Sequence, residues 1–179
     1  LFLAVQARNA GLAKYLAGEY SKPDTARLLS EVAAKPEKLK QTALFASNSM
    51  ENRDIVSLGL RRLIRNNSNL TLQLLDHYKT RLSFTPEQKR QLARDIGTLL
   101  AKRFDARGLR VMQEFDPEYS DPLVGEWHAR LLLRLGRWSE AQKVIAALPE
   151  ATASSLRWQY WQARSTQFAS PSSKEPKEQ

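Results

Sequence analysis

Apolar residues recur every three or four positions along most of this chain, which is the spacing of one face of an α-helix. The pattern is clearest at Val56, Leu60, Leu63 and Ile64. Long runs of β-branched residues are missing, and only seven glycines and eight prolines occur. Both features favour helices over sheets. The sequence therefore predicts an all-α protein of about ten helices.

Capping and turn residues divide this pattern into separate helices. The segment from Thr85 to Gln88 gives the clearest start, because Thr85 can cap, Pro86 suits the first helical position and Gln88 can reach back as in a capping box. Ser139 and Gln142 offer a second capping box. The predicted helices cover approximately residues 1–8, 12–17, 24–34, 36–46, 52–64, 70–82, 86–103, 108–114, 124–135, 139–148 and 153–168.

Three glycines, Gly11, Gly108 and Gly136, each lie between two predicted helices. The short helix after each glycine ends at a proline, namely Pro23, Pro117 and Pro149. Such units cannot bury their apolar faces alone and stack on their neighbours, as in solenoids. Residues 129–141 are close to the corner of a tetratricopeptide repeat, but no constant period of about 34 residues exists.

The predicted architecture is therefore a superhelix: a curved, solenoid-like array of antiparallel helix pairs that is tetratricopeptide-like in places. We expect residues 1–169 to form this superhelical domain as a fragment of a larger one. Residues 170–179 are polar and rich in proline and serine, which predicts a mobile linker.

The net charge of +9 and pI near 10.0 suggest an anionic partner such as nucleic acid, a membrane surface or an acidic polymer. The basic residues are densest at residues 61–65, 102–110 and 130–137. Solvated helix faces explain such groups equally simply, and we favour that explanation. No stretch approaches the roughly 18 apolar residues that span a membrane. Charge alone therefore does not select a partner.

Few residues suggest a chemical site. The chain has no cysteine and two histidines, His77 and His128, which are far apart and lack partners at a metal-ligand spacing. Neither a phosphate-binding glycine loop nor a Gly-x-Ser-x-Gly elbow occurs. We therefore expect no cofactor and no metal.

One acidic group precedes the helix predicted over residues 124–135. It consists of Glu114, Asp116, Glu118 and Asp121. Paired carboxylates can act as general acid and base on a sugar. Loop acids between prolines more often cap helices and stay solvated, so we favour the structural interpretation.

The last predicted helix carries a dense aromatic group, Trp158, Tyr160 and Trp161. A tryptophan platform can stack against sugar rings or bases. Alternatively, these rings fill the interface with the hairpin that carries Trp127 and Trp138. Buried aromatic rings dominate helix interfaces, so packing is the favoured interpretation.

Two motifs near the ends of the chain resemble a known family. Residues 156–164 carry Arg-Trp-x-Tyr-Trp-x-Ala, after the Gly136 hairpin and the Ala-x-Leu-Pro of residues 146–149. Residues 7–12 and 16–19 read Ala-Arg-Asn-Ala-Gly-Leu and Leu-Ala-Gly-Glu. Together they resemble the superhelical, non-catalytic domain of soluble lytic murein transglycosylases, whereas residues 22–121 match only as a helical pattern.

The resemblance implies a periplasmic enzyme of cell-wall turnover whose partners are peptidoglycan glycan strands and, as a further option, other cell-wall enzymes. In that family a separate lysozyme-like domain cleaves between N-acetylmuramic acid and N-acetylglucosamine and leaves a 1,6-anhydro product. The catalytic glutamate lies in a Glu-Ser motif. No Glu-Ser pair occurs in this chain, so the resemblance assigns no catalytic residue here.

Two alternatives remain open at this stage. One is a tetratricopeptide-like scaffold for protein–protein interaction that has no enzymatic role. The other is a nucleic-acid-binding helical repeat, which depends on charge alone and which we do not favour.

Overall fold

The computed structural model describes residue 4, residues 9–20 and residues 23–169. The chain divides into two compact units, Leu1–Ile96 and Gly97–Gln179. Every regular element in the described residues is helical, so the predicted all-α class is confirmed. None of the described helices is long and apolar enough to cross a membrane.

The first unit contains five α-helices in its described part. They are α1 (Ala10–Tyr20), α2 (Pro23–Ala34), α3 (Met50–Leu63), α4 (Ser68–Lys79) and α5 (Pro86–Leu92). Two short 3₁₀ helices, Pro36–Lys40 and Thr42–Phe45, connect α2 to α3. A π-helical turn, Ala93–Gly97, follows α5.

The α-helix predicted over residues 36–46 is wrong, because the 3₁₀ helices occupy this segment. Side chains three positions apart eclipse one another in a 3₁₀ helix. This geometry buries Pro36, Leu39 and Phe45, whereas Leu44 is 43% exposed. Tyr78 then donates a hydrogen bond of 2.7 Å to the Leu39 carbonyl. Tertiary packing therefore overrides the helical spacing here.

Polar caps set the starts of the helices in this unit. The Thr85–Gln88 capping box is confirmed, with both of its hydrogen bonds present. Ser49 caps α3 by accepting the Asn52 N–H at 3.1 Å, and Asn67 caps α4. Both helices therefore begin two residues earlier than predicted.

Helix α3 approaches its neighbours closely at Gly59. A Cβ atom at this position would lie 2.6 Å from Val32 Cγ1 and 2.7 Å from Leu39 Cδ1. Both neighbouring side chains are fully buried. Only glycine permits this packing, because real Cβ atoms essentially never come so close.

The second unit contains six described helices. They are α6 (Thr98–Lys102), α7 (Arg107–Phe115), α8 (Pro122–Arg134), α9 (Trp138–Ala146), α10 (Glu150–Ala153) and α11 (Leu156–Ala169). Helix α8 packs against α6, α7 and α9, and α9 packs against α11. Helix α8 is therefore central to this unit.

Of the three predicted glycine breaks, only Gly136 is confirmed. Its φ of 68° ends α8, and the Arg137 N–H donates to the Leu132 carbonyl at 3.0 Å. Gly11 and Gly108 are each the second residue of a helix, α1 and α7, so the non-helical residues lie just before these glycines and not at them. Gly108 instead allows α7 to approach α6, because a Cβ there would lie 2.9 Å from the Gly97 carbonyl oxygen.

The second predicted capping box, at Ser139 and Gln142, is also wrong. Helix α9 begins at Trp138, and Arg137 occupies the cap position without a side-chain cap. The chain leaves α8 through Gly136 and re-enters a helix at once, which places Ser139 inside the first turn. The linker predicted at residues 170–179 lies outside the described residues, and the domain boundary stays a prediction.

Candidate functional site

One exposed face of α8 combines cations with aromatic rings. Trp127, Arg130 and Arg134 follow one another at helical spacings of three and four, so they share this face. The Arg130 guanidinium carbon lies 4.9 Å from the centre of the Trp127 ring. Trp127 is half-buried, whereas Arg134 is exposed.

The end of α6 contributes two further residues. Lys102 Nζ lies 5.3 Å from the centre of the Trp127 ring, and the Arg134 guanidinium carbon lies 4.7 Å from the centre of the Phe104 ring. Both distances suit cation–π attraction. Lys102, Phe104, Trp127, Arg130 and Arg134 therefore form one surface, which is called the α8 face below.

The α8 face retains uncompensated positive charge. Arg130 is paired with Glu126 at 2.6 Å. Lys102 and Arg134 form no ion pair among the residues that the structure describes. Flat rings next to free cations suit an anionic ligand with ring-shaped groups, because the rings stack while the cations attract charge.

Phe104 has an unusual backbone for an aromatic residue. Its φ is 58° and its ring is 60% exposed. The Phe104 and Asp105 N–H groups donate to the Ala101 and Leu100 carbonyls at 3.0 Å, which is the helix-ending geometry that normally carries glycine. The left-handed conformation costs a non-glycine residue about 1–2 kcal/mol. Backbone strain together with an exposed ring makes Phe104 a candidate for ligand binding.

The aromatic group of the last helix divides into buried and exposed members. Trp158 is only 2% exposed, and the centre of its ring lies 5.8 Å from the Arg130 guanidinium carbon. Trp138 stacks on Phe168 with ring centres 4.8 Å apart. The packing interpretation is therefore confirmed for Trp158. It is wrong for Tyr160, which is 56% exposed.

The basic group at residues 61–65 includes a buried structural residue. Arg61 pairs with Asp95 at 2.5 Å, and their side chains are only 4% and 5% exposed. Arg61 also donates to Gln91 Oε1 at 2.7 Å. The interpretation of this group as a solvated face is thus wrong for Arg61.

The two histidines occupy different environments. His77 contacts the Tyr78 ring edge-on at 5.1 Å. His128 is buried, and burial together with the nearby Arg137 lowers its pKa to about 4, although Glu140 opposes the shift. No group of histidine and acidic residues in the described ranges has the arrangement of a metal site.

The acidic loop organises the backbone between α7 and α8. Asp116 is buried and accepts hydrogen bonds from the Ser120 and Asp121 N–H groups at 3.0 Å. Asp121 caps α8 by accepting the Leu123 N–H at 3.0 Å. The favoured capping role is confirmed for Asp121. The expectation that these acidic residues stay solvated is wrong for Asp116, which is buried.

The α8 face was missed as a unit in the sequence. The sequence pattern places its cations in two separate basic groups and predicts Trp127 at the hairpin interface. The spacing of Trp127, Arg130 and Arg134 was a usable signal. No signal in the sequence indicates the contribution of Lys102 and Phe104, because it depends on the packing of α6 on α8.

The sequence and the all-α fold were compared with known protein families, curated proteins and solved structures. No protein-family model matches the sequence, and no curated protein sequence matches it either. Among solved structures, an inactive mutant of the lytic transglycosylase Slt from Pseudomonas aeruginosa is 46% identical, with a TM-score of 0.83 over 96% of this chain. The chain spans 28% of the length of that Slt chain.

This identity and this structural agreement cover nearly the whole chain. The protein therefore belongs to the lytic transglycosylase family, as its terminal motifs predicted.

Proposed function

We propose that this chain is the superhelical scaffold segment of a peptidoglycan lytic transglycosylase and that its α8 face holds the wall polymer. The enzyme cleaves the bond between N-acetylmuramic acid and N-acetylglucosamine and leaves 1,6-anhydro-muropeptides. A catalytic glutamate in another part of the enzyme performs that cleavage. The segment acts in the periplasm, where the cell wall lies.

The observation that carries this proposal is the family membership of the chain. The α8 face supports the proposed binding of the wall polymer. Peptidoglycan combines sugar rings with carboxylate-bearing stem peptides. Trp127 and Phe104 offer ring surfaces for sugars, while Lys102 and Arg134 carry charge that no acidic residue in the described part neutralises. The wall polymer has both features that this surface matches.

Co-sedimentation with purified sacculi tests the proposal. The 179-residue chain should bind sacculi at low ionic strength and be released as salt rises, because exposed charges are screened beyond about 10 Å at 0.1 M salt. A gel shift with non-specific DNA at physiological salt distinguishes the charge-only alternative, which requires binding at about micromolar to 100 micromolar concentration. Absence of sacculus binding at low salt, or binding that salt leaves unchanged, contradicts the proposed role.

A further inference from the structure

A second candidate site lies within the second unit, beside the buried face of α8. It is a cavity of about 250 Å³. Its walls include the polar residues Gln113, Tyr119 and His128 and the aliphatic residues Leu132 and Val144. No residue of the α8 face lines it, so the two surfaces are distinct.

His128 is the unusual member of this cavity. Its side chain is 5% exposed, and its buried Nδ1 atom has no hydrogen-bond partner among the described residues. The Tyr119 ring meets the imidazole edge-on with ring centres 5.5 Å apart. Buried polar atoms are nearly always paired in folded proteins, so an unpaired one next to a cavity is a position where a ligand or a water molecule can bind.

Tyr119 is held against His128 by a strained backbone. Its φ is 51°, although its side chain is only 5% exposed. Its N–H donates to the Asp116 carbonyl at 3.2 Å, and its hydroxyl hydrogen-bonds to Gln113 Oε1 at 3.2 Å. The amide N–H groups of Gln113 remain as donors for a ligand. Such strain is characteristic of functional sites.

The charged members give the cavity a cationic edge. Both carboxylate oxygens of Glu140 accept hydrogen bonds from Arg137, at 2.6 and 2.5 Å. Lys143 also lines the cavity, and it forms no ion pair among the residues that the structure describes. Glu140 is thus neutralised, whereas the Lys143 ammonium group is available for an anion.

We propose that this cavity binds the carboxylate end of a small aliphatic residue, as at the C-terminus of a short peptide. The carboxylate oxygens accept from Lys143 and Gln113, and the aliphatic side chain contacts Leu132 and Val144. The cavity is smaller than the usual 300–1,000 Å³ of small-molecule sites, so it suits the end of a chain and not a disaccharide. The inference rests on the proposed function only for the source of the peptide, since peptidoglycan stem peptides bear carboxylates.

NMR detection of the two histidine rings tests the inference on the 179-residue chain at pH 7. Titration with N-acetyl-D-alanyl-D-alanine should shift the His128 signal saturably and leave the His77 signal unchanged. The corresponding dipeptide amide should bind about tenfold more weakly, because it loses the charge-assisted hydrogen bond. Lys143→Gln should weaken binding of the acid similarly, whereas the exposed control Lys40→Gln should not.

Three results overturn the inference: no saturable shift of His128, equal binding of acid and amide, or binding that Lys143→Gln leaves unchanged. The outcome is separate from the proposed function. Sacculus binding without a His128 shift contradicts only the cavity. A His128 shift without sacculus binding contradicts only the wall-binding role of the α8 face.

Discussion

Acidification should destabilise this protein through His128. In the unfolded chain the imidazole titrates near its ordinary pKa of 6.5, whereas burial lowers its folded-state pKa to about 4. Above pH 6.5 both states are neutral and His128 contributes nothing to the pH dependence. As the pH falls below 6.5 the unfolded state gains a proton that the folded state does not, so stability is lost until about pH 4. The complete loss is about 3 kcal/mol, and about 2 kcal/mol of it occurs by pH 5.

Urea unfolding at pH 7 and pH 5, followed by tryptophan fluorescence, measures this effect. The chain has four tryptophans, and all of them lie in the unit that contains His128. The native protein should lose about 2 kcal/mol more than His128→Gln between these pH values. Equal losses in the native protein and His128→Gln, or an NMR titration of His128 near pH 6.5, would refute the reasoning.

Three further changes test the packing by urea unfolding. Gly59→Ala should lower the free energy of unfolding by about 1–3 kcal/mol, because its Cβ would enter a filled core. Gly18 has open space around it, so Gly18→Ala should raise the free energy of unfolding by about 0.5–1 kcal/mol. Equal effects of the two changes would contradict the close approach at Gly59. Arg61→Met should cost about 3–5 kcal/mol because it breaks the buried ion pair with Asp95, and adding Asp95→Leu should recover most of that loss. Gly136→Ala should cost about 1–2 kcal/mol because of its φ of 68°; a neutral effect would contradict that conformation.

Local chemistry explains what the sequence predicted well. The capping box of Thr85 and Gln88 is made by residues three positions apart, and the break at Gly136 needs only one residue without a Cβ atom. The same local logic is less exact at Gly108, which is the second residue of α7 and serves the close contact with α6. A glycine between two apolar patterns does not distinguish a helix end from a close approach.

Features that depend on tertiary packing are harder to predict from the sequence. Arg61 looked like a surface residue because its partner Asp95 lies 34 positions away in sequence. The end of α6 at Phe104 breaks the rule that glycine occupies left-handed helix ends, so no turn residue marked it. The candidate site was missed for the same reason, because Phe104 meets Arg134 only through the packing of α6 on α8.

The central claim is that the α8 face holds the wall polymer, and a pair of charge-matched variants tests it most directly. Lys102→Gln with Arg134→Gln removes two charges from the α8 face. The control, Lys40→Gln with Arg62→Gln, removes two exposed charges from the first unit. In co-sedimentation with sacculi at low salt, each α8-face charge that attracts the polymer should contribute about 0.5–1 kcal/mol, so the first variant should bind roughly five- to thirtyfold more weakly. The control should bind like the native chain, and equal binding by the two variants would contradict the claim.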